Sequence, residues 1–257
     1  MGKVPILTCI LSLAALAVAA RAPQSRPPAD FHALASQLAG TRDSGAEESQ
    51  AAEEQALAIL DRAVLEQLNT PKPEPDLNAL NGRLASFVTH QPPVGEGFRV
   101  VRLGGAPAAY ALLADFGLRG PSAVRVYAGA PGGLALAARV DRYAQKNFFD
   151  DYMEIVPMAG AEPVFVTVTG RTDDLHTGVF SAWYFMNGRV DPVWTSDILE
   201  QSTYEVAPDG FRLTYCAETD AQDLRACHSM QHDRYVWQDR AWKRVESTAV
   251  PASSPQP

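Results

Sequence analysis

The 257-residue sequence lacks the short motifs that mark the common enzyme classes. It has no G-x-S-x-G nucleophile elbow, no phosphate-binding glycine loop and no dinucleotide fingerprint, and its Gly-Gly pairs at 104 and 132 stand in turn contexts. Because a catalytic triad can be assembled from distant residues, these absences make an enzyme less expected without removing the possibility.

Basic residues are outnumbered and form no run. The chain has 22 Lys and Arg against 30 Asp and Glu, which gives a net charge of −8. Such a chain repels phosphate backbones, so nucleic acid is not an expected partner. The acidic helices predicted below also lack the Lys and Arg that anionic lipids attract, which disfavours binding to a membrane surface.

The N-terminus has the three parts of a secretory signal. Lys3 precedes an apolar run from Val4 to Ala20, and the run ends in small residues that suit a signal peptidase, so we expect cleavage near Ala19 or Ala20. An uncleaved anchor is one alternative, because a run of 17 residues is near the lower limit for spanning a bilayer. A lipoprotein signal at Cys9 fits less well, since the apolar run follows this cysteine. We therefore predict a periplasmic or secreted protein of a Gram-negative-type cell, with no membrane span after signal removal.

Cysteine is scarce, and only Cys216 and Cys227 remain after such a cleavage. In an oxidising compartment this pair is expected to form one disulfide, worth about 2–3 kcal/mol for so short a loop. His228 and His232 are four apart, as on one face of a helix, and with the cysteines could build a zinc site. A metal-binding protein is thus an alternative. No paired-cysteine knuckle precedes these histidines, so the disulfide is preferred and no metal or cofactor is expected.

The order of composition along the chain predicts its organisation. We expect a signal peptide (1–20), a proline-rich spacer (21–30), a helical segment (31–94) with a proline-rich linker at 70–75, a β-rich domain (95–250) and a disordered tail (251–257). Asp30 and Asp76 are candidate helix caps, and Ser44 and Glu47 have the spacing of a capping box.

From Phe98 onward the apolar period changes from helical to two, which indicates strands. Three successive units of four strands can be counted, over 98–141, 152–197 and 202–247. The dipeptide Asn187-Gly188 predicts a type I′ hairpin within the second unit. The aromatic residues at matching ends of the third strand in each unit are Tyr127, Phe185 and Trp237.

In strand order and aromatic placement, residues 98 to 248 resemble the blades of β-propellers. The resemblance implies a fold only, since no WD, kelch or calcium-loop signature accompanies it. Three units are fewer than the four that usually close a propeller. We therefore predict a mainly β fold of three consecutive four-stranded antiparallel units, as an incomplete propeller, a curved sheet or a sandwich. An α-helical N-terminal segment precedes it and is expected to cover an exposed sheet edge.

Two long loops concentrate the polar and aromatic residues of the β region. The candidate ligand-binding residues are Tyr143, Phe148, Phe149, Asp150, Asp151 and Tyr152 in one loop and Asp173, Asp174 and His176 in the other. Aromatic rings beside carboxylates suit a sugar-like or cationic ligand. The alternative is structural: the phenylalanines plug the core, and the aspartates belong to turns.

These observations predict an exported, non-catalytic binding or structural protein whose partner is an unidentified envelope protein or glycan. The alternative from a different class is a hydrolase of envelope polysaccharide or peptide. It would combine carboxylates of the 141–154 and 170–178 loops, and the two loops would have to face each other. Trp183 and Trp194 are expected to pack between units.

Overall fold

The computed structural model of the protein describes most of the chain from Ala29 to Ala252. The described residues are 29–38, 47–72, 74–88, 97–117, 120–140, 152–158, 160, 162–171, 176–207, 209–220, 223 and 226–252. The predicted signal peptide and nearly all of the spacer lie outside these ranges, as does Ser44 of the predicted capping box.

Three helices come first in the described chain. They are α1 (Ala29–Leu38), α2 (Glu47–Leu68) and α3 (Leu77–Ala85). The predicted cap of α3 is confirmed, because Asp76 Oδ1 accepts a hydrogen bond of 3.0 Å from Ala79 N. Asp30 instead lies within the first turn of α1. None of the described helices is long and apolar enough to cross a membrane.

Twelve strands follow the helices in the described ranges. They are β1 (Phe98–Arg102), β2 (Tyr110–Asp115), β3 (Ser122–Ala130), β4 (Gly133–Val140), β5 (Tyr152–Pro157), β6 (Val164–Gly170), β7 (Gly178–Met186), β8 (Arg189–Thr195), β9 (Glu200–Ala207), β10 (Gly210–Thr219), β11 (Cys227–Gln238) and β12 (Ala241–Pro251). They form sheet A (β1 to β4), sheet B (β5 to β8) and sheet C (β9 to β12), each antiparallel with neighbours in chain order. The predicted fold class is confirmed. Three separate sheets are neither a single curved sheet nor a two-sheet sandwich.

Hairpin turns of the predicted type join the third and fourth strands of sheets B and C. Asn187 and Gly188 have φ of 52° and 74°, so the predicted type I′ turn is confirmed. Asp239 and Arg240 repeat this backbone, with φ of 54° and 59°. Both turns match the twist of the strands that they connect.

The sheets stack face to face, and strand alternation assigns each side chain to a layer. In β7, Trp183 and Phe185 belong to the core between sheets A and B, whereas Phe180, Ala182 and Tyr184 belong to the core between sheets B and C. Both faces of sheet B are therefore buried, one against sheet A and the other against sheet C. This explains why its inner strands are almost continuously apolar in sequence.

The aromatic residues of the third strands mark successive layers of this stack. Tyr127 packs in the core between the helices and sheet A, Phe185 between sheets A and B, and Trp237 between sheets B and C. Trp194 also lies between sheets, with its ring 4.9 Å from that of Tyr235. Its predicted role in packing is confirmed.

The helices cover one face of sheet A rather than an edge alone. The apolar stripe of α2 is buried against this face, as are Phe31 of α1 and Leu84 of α3. A buried polar contact fixes the position of α2: Arg125 of β3 donates to Asp61 through both Nε and Nη2, and Tyr127 OH donates to Asp61 Oδ1 at 2.7 Å. Burial, together with the Asp61 carboxylate, raises the pKa of Tyr127 far above its usual value.

Candidate binding site

The outer face of sheet C is not covered by any other element of the described chain. Sheet A lies between the helices and sheet B, and sheet B lies between sheets A and C. Sheet C buries only its inner face. Exposed polar side chains therefore stand on its other side, as in Arg212 of β10 and His232 of β11.

Four charged residues form one row across this outer face. Arg212 pairs in register with Glu205 of β9 on one side and with Arg234 of β11 on the other, and Arg234 pairs with Glu246 of β12. We call these four residues the charged row. Its centre consists of two arginines on neighbouring strands, directly opposite each other.

A second row, shifted by two residues along the strands, carries uncharged hydrogen-bonding groups. Thr214 pairs in register with Thr203 and with His232, and His232 pairs with Thr248. We call these four residues the hydroxyl row. His232 Nδ1 lies 3.0 Å from Thr214 Oγ1, so the imidazole is held against the sheet. Most members of the two rows line a depression of about 440 Å³.

The arginines of the charged row are only partly engaged within the protein. Arg212 Nη1 lies 3.6 Å from Glu205 Oε2, which is too long for a good hydrogen bond, and both side chains are exposed. Arg234 Nη2 donates to Asp209 Oδ2 at 2.7 Å, but Arg234 Nε is buried without an acceptor. In contrast, the guanidinium of Arg125 binds both oxygens of Asp61. The exposed guanidinium of Arg212 therefore retains hydrogen-bonding capacity that an anionic group could use.

A buried carboxylate on the inner face holds the strands beneath this depression in register. Asp233 of β11 is 1% exposed. It accepts hydrogen bonds from Tyr215, Gln231, Tyr235, Arg244 and Ser247. Burial alone favours the neutral carboxyl, but these hydrogen bonds outweigh it and lower the pKa of Asp233. Burial and the bond to Asp233 raise the pKa of Tyr215 to about 12.

The predicted disulfide is confirmed and lies beside the hydroxyl row. Cys216 of β10 and Cys227 at the start of β11 are joined, with Cα atoms 5.8 Å apart. Cys216 follows Thr214 by two residues on the same strand. The bond therefore links the two strands that carry the arginine pair.

The helical arrangement that the zinc alternative requires is not adopted, because His228 and His232 both lie on β11. Four residues along a strand span about 13 Å, so the two imidazoles are too far apart for one metal ion. His228 Nε2 lies 3.4 Å from Asp220 Oδ2, whereas His232 contacts Thr214. The alternation of a strand would have signalled this arrangement, but the i, i+4 spacing suggested a helix.

Most of the sequence-predicted ligand residues lie outside the described ranges. These are Tyr143, Phe148, Phe149, Asp150, Asp151, Asp173 and Asp174. Tyr152 and His176 are described. Tyr152 opens β5 opposite Gly170, and Gly170 is opposite Gly178, so both loops leave sheet B at the same end.

The described residues of those loops face sheet C from the inner side. Glu154 Oε2 accepts a hydrogen bond of 2.8 Å from Tyr204 OH, and the His176 carbonyl accepts one of 3.0 Å from Ser202 N. Burial and Glu154 raise the pKa of Tyr204. Thr203 and Tyr204 both contribute to the lining of the depression. The structure thus does not bring Tyr152, Glu154 or His176 into the depression.

The charged row was missed at the level of sequence because it exists only across strands. Arg212 and Arg234 are 22 positions apart, and no local motif connects them. The available signal was the polar alternation of β10 and β11 combined with their pairing register.

Comparisons with known proteins identified no relative. No family model matches the chain, and no curated protein or solved structure matches it either. The function is therefore inferred from the chemistry of the site.

Proposed function

We propose that the protein is an exported, non-catalytic binding module of the cell envelope that holds an anionic ligand on the outer face of sheet C. The observation that carries the proposal is the pairing of Arg212 directly opposite Arg234. Like charges at directly opposite positions destabilise a sheet, and such local conflicts are expected at functional sites. Two adjacent guanidinium groups are also well suited to bind a carboxylate or phosphate.

Export is supported by two independent features. The N-terminal run from Val4 to Ala20 has the pattern of a secretory signal. Cys216 and Cys227 form a disulfide, which persists in oxidising compartments. Both features fit a periplasmic or extracellular location.

A binding role is favoured over catalysis by the surroundings of His232. Thr214 and His232 are within hydrogen-bond distance, as a nucleophile and base would be. A catalytic base is usually oriented by a third group on its other ring nitrogen. Within the described ranges, no carboxylate or carbonyl binds His232 Nε2, and the nearby Asp233 carboxylate is held on the opposite face of the sheet.

The proposal is tested with Arg212→Gln, Arg234→Gln and the double variant. The probes are an oligogalacturonate, a polyglutamate peptide and inorganic phosphate, measured by titration calorimetry. Loss of one bidentate arginine contact should weaken binding roughly tenfold or more, and the double variant should not bind. The control is Arg189→Gln, an exposed arginine paired with Asp191 on sheet B. Binding by the double variant at wild-type strength would overturn the proposal.

A second candidate, the envelope hydrolase, is favoured by one observation. Both predicted loops leave sheet B at neighbouring strand ends, because Tyr152 and Gly178 each pair with Gly170. The double variant Asp150→Asn/Asp173→Asn should then lose release of reducing ends or amines from purified cell-wall material. The control is Asp191→Asn on the hairpin at the other end of sheet B. No activity in the wild-type protein would remove this candidate.

A further inference from the structure

The charged row has a definite order of charge, with two cations between two anions. Glu205, Arg212, Arg234 and Glu246 stand on four successive strands. Neighbouring strands are about 4.8 Å apart, so each carboxylate lies roughly one strand from the nearest guanidinium. A matching ligand therefore has one anionic group at its centre and hydrogen-bond donors on both sides.

This order argues against a second copy of the chain that is centred on the arginine pair. Most dimers close by a two-fold axis, which places the same patch of both subunits in contact. A two-fold axis through the centre of the charged row places Arg212 of one copy against either Arg234 or Arg212 of the other copy. The glutamates likewise meet glutamates, so the contact would be repulsive.

Polyanions are also a poor match. A nucleic acid or polyphosphate would satisfy the arginines but would place further negative charge beside Glu205 and Glu246. The net charge of −8 adds to this repulsion. A ligand with a single charge at the arginine pair avoids the first penalty and reduces the second.

Protein partners usually anchor through aromatic or aliphatic side chains at the centre of the interface. The charged and hydroxyl rows contain no such residue. The hydroxyl row instead offers Thr203, Thr214 and His232 as small groups that donate and accept hydrogen bonds. Sugar hydroxyls have the same double capacity.

We infer that the ligand is an acidic sugar residue, with one carboxylate on a pyranose ring, carried by a polysaccharide. The carboxylate binds between Arg212 and the part of the Arg234 guanidinium that does not donate to Asp209. Ring hydroxyls donate to Glu205 and Glu246 and exchange hydrogen bonds with the hydroxyl row. This inference rests on the proposed function, because it specifies the ligand of the same face.

The first experiment compares ligands on the full exported chain. The probes are an oligosaccharide with one galacturonate residue among neutral sugars, its methyl ester, a neutral oligosaccharide of equal length and free galacturonate. The acid oligomer should bind, and the ester and the neutral oligomer should bind at least tenfold more weakly. Free galacturonate should bind more weakly than the oligomer. Equal binding of monomer and oligomer would overturn the assignment to a polysaccharide.

The second experiment asks whether removing the charge of each glutamate weakens or tightens ligand binding. Glu205→Gln and Glu246→Gln should each weaken binding of the oligosaccharide with one galacturonate roughly tenfold, because each removes a charged acceptor for a hydroxyl. If these glutamates only repel the anion, the same substitutions will tighten binding and overturn the inference. Glu74→Gln, in the linker between α2 and α3, is the matched control and should change nothing. Circular dichroism of each variant verifies the fold.

The failure of this inference differs from the failure of the proposed function. If polyglutamate or phosphate binds through Arg212 and Arg234 while the oligosaccharide with one galacturonate does not, the binding face stands and the sugar assignment falls. If none of the anionic probes binds the wild-type protein, the proposed function falls as well.

Discussion

The side-chain amide of Asn81 in α3 pairs with the backbone of Val100 in β1 as a neighbouring strand would. Asn81 Nδ2 donates to Val100 O at 3.0 Å, and Val100 N donates to Asn81 Oδ1 at 2.7 Å. Asn69, directly after α2, makes the same pair of bonds with Leu134 of β4, at 2.9 and 2.7 Å. Both edges of sheet A are thereby blocked by amides of the helical layer, which protects them from pairing with another chain.

We predict that Asn81→Ala lowers the free energy of unfolding by about 1–3 kcal/mol, because two hydrogen bonds are lost and the backbone of Val100 is left without this partner. Urea denaturation measures the change. Asn78→Ala, an exposed position of the same helix, is the control because it shares the gain in helix propensity. Equal stability of the two variants would contradict an edge-capping role. The same conclusion would follow if Asn81→Ala kept its stability and formed no oligomers in size-exclusion chromatography.

The buried pair between α2 and β3 leads to a larger effect. Asp61→Ala leaves Arg125 buried without its carboxylate and removes the acceptor of Tyr127, so we expect a loss of about 3–5 kcal/mol. The matched control is Glu54→Ala on the same helix. It breaks the exposed Glu54–Arg139 pair, whose atoms are 2.9 Å apart, and should cost less than about 1 kcal/mol. Similar losses in thermal denaturation of both variants would show that Asp61 does not hold the helical layer in place.

The strand units could be predicted because their alternation is local. On any extended strand, alternate side chains point to opposite faces, so Phe180, Ala182 and Tyr184 are separated from Trp183 and Phe185. The structure was needed only to show which sheet each face contacts. The Asn187-Gly188 turn was equally predictable, since few residues tolerate its backbone. For β11 the i, i+4 spacing of His228 and His232 left a helical metal site open as an alternative, whereas both residues lie on a strand.

The candidate site could not be predicted in this way, because it depends on register between strands. A shift of β11 by one residue would place Arg234 on the inner face and Asp233 on the outer one. That register is fixed by contacts distant in sequence, such as the bond of 2.8 Å from Ser247 Oγ to Asp233 Oδ1. The loops chosen from composition remain a prediction, since most of their residues lie outside the described ranges.

The disulfide should stabilise sheet C without determining the fold. Replacing both cysteines, in Cys216→Ser/Cys227→Ser, should lower the free energy of unfolding by about 3 kcal/mol, because the short loop no longer restricts the unfolded chain. Urea denaturation with and without dithiothreitol measures this effect. The reductant should destabilise the native sequence by a similar amount and leave the double variant unchanged. A fully unfolded double variant would mean that the bond is needed to form the sheet.

Asp233 should make the protein sensitive to acid. Its pKa is lowered in the folded state, so the unfolded chain binds a proton at higher pH than the native one does. The stabilisation is complete above the unfolded Asp pKa of about 3.9 and is lost as the pH falls from there through the lower native pKa. Removing one donor, in Ser247→Ala, should raise the native pKa and reduce the slope of unfolding free energy against pH in this window. Thr248→Ala, on the opposite face of β12, should keep the native slope. If both variants retain the native slope in urea denaturation across this window, hydrogen bonding to Asp233 is not the source of the acid sensitivity.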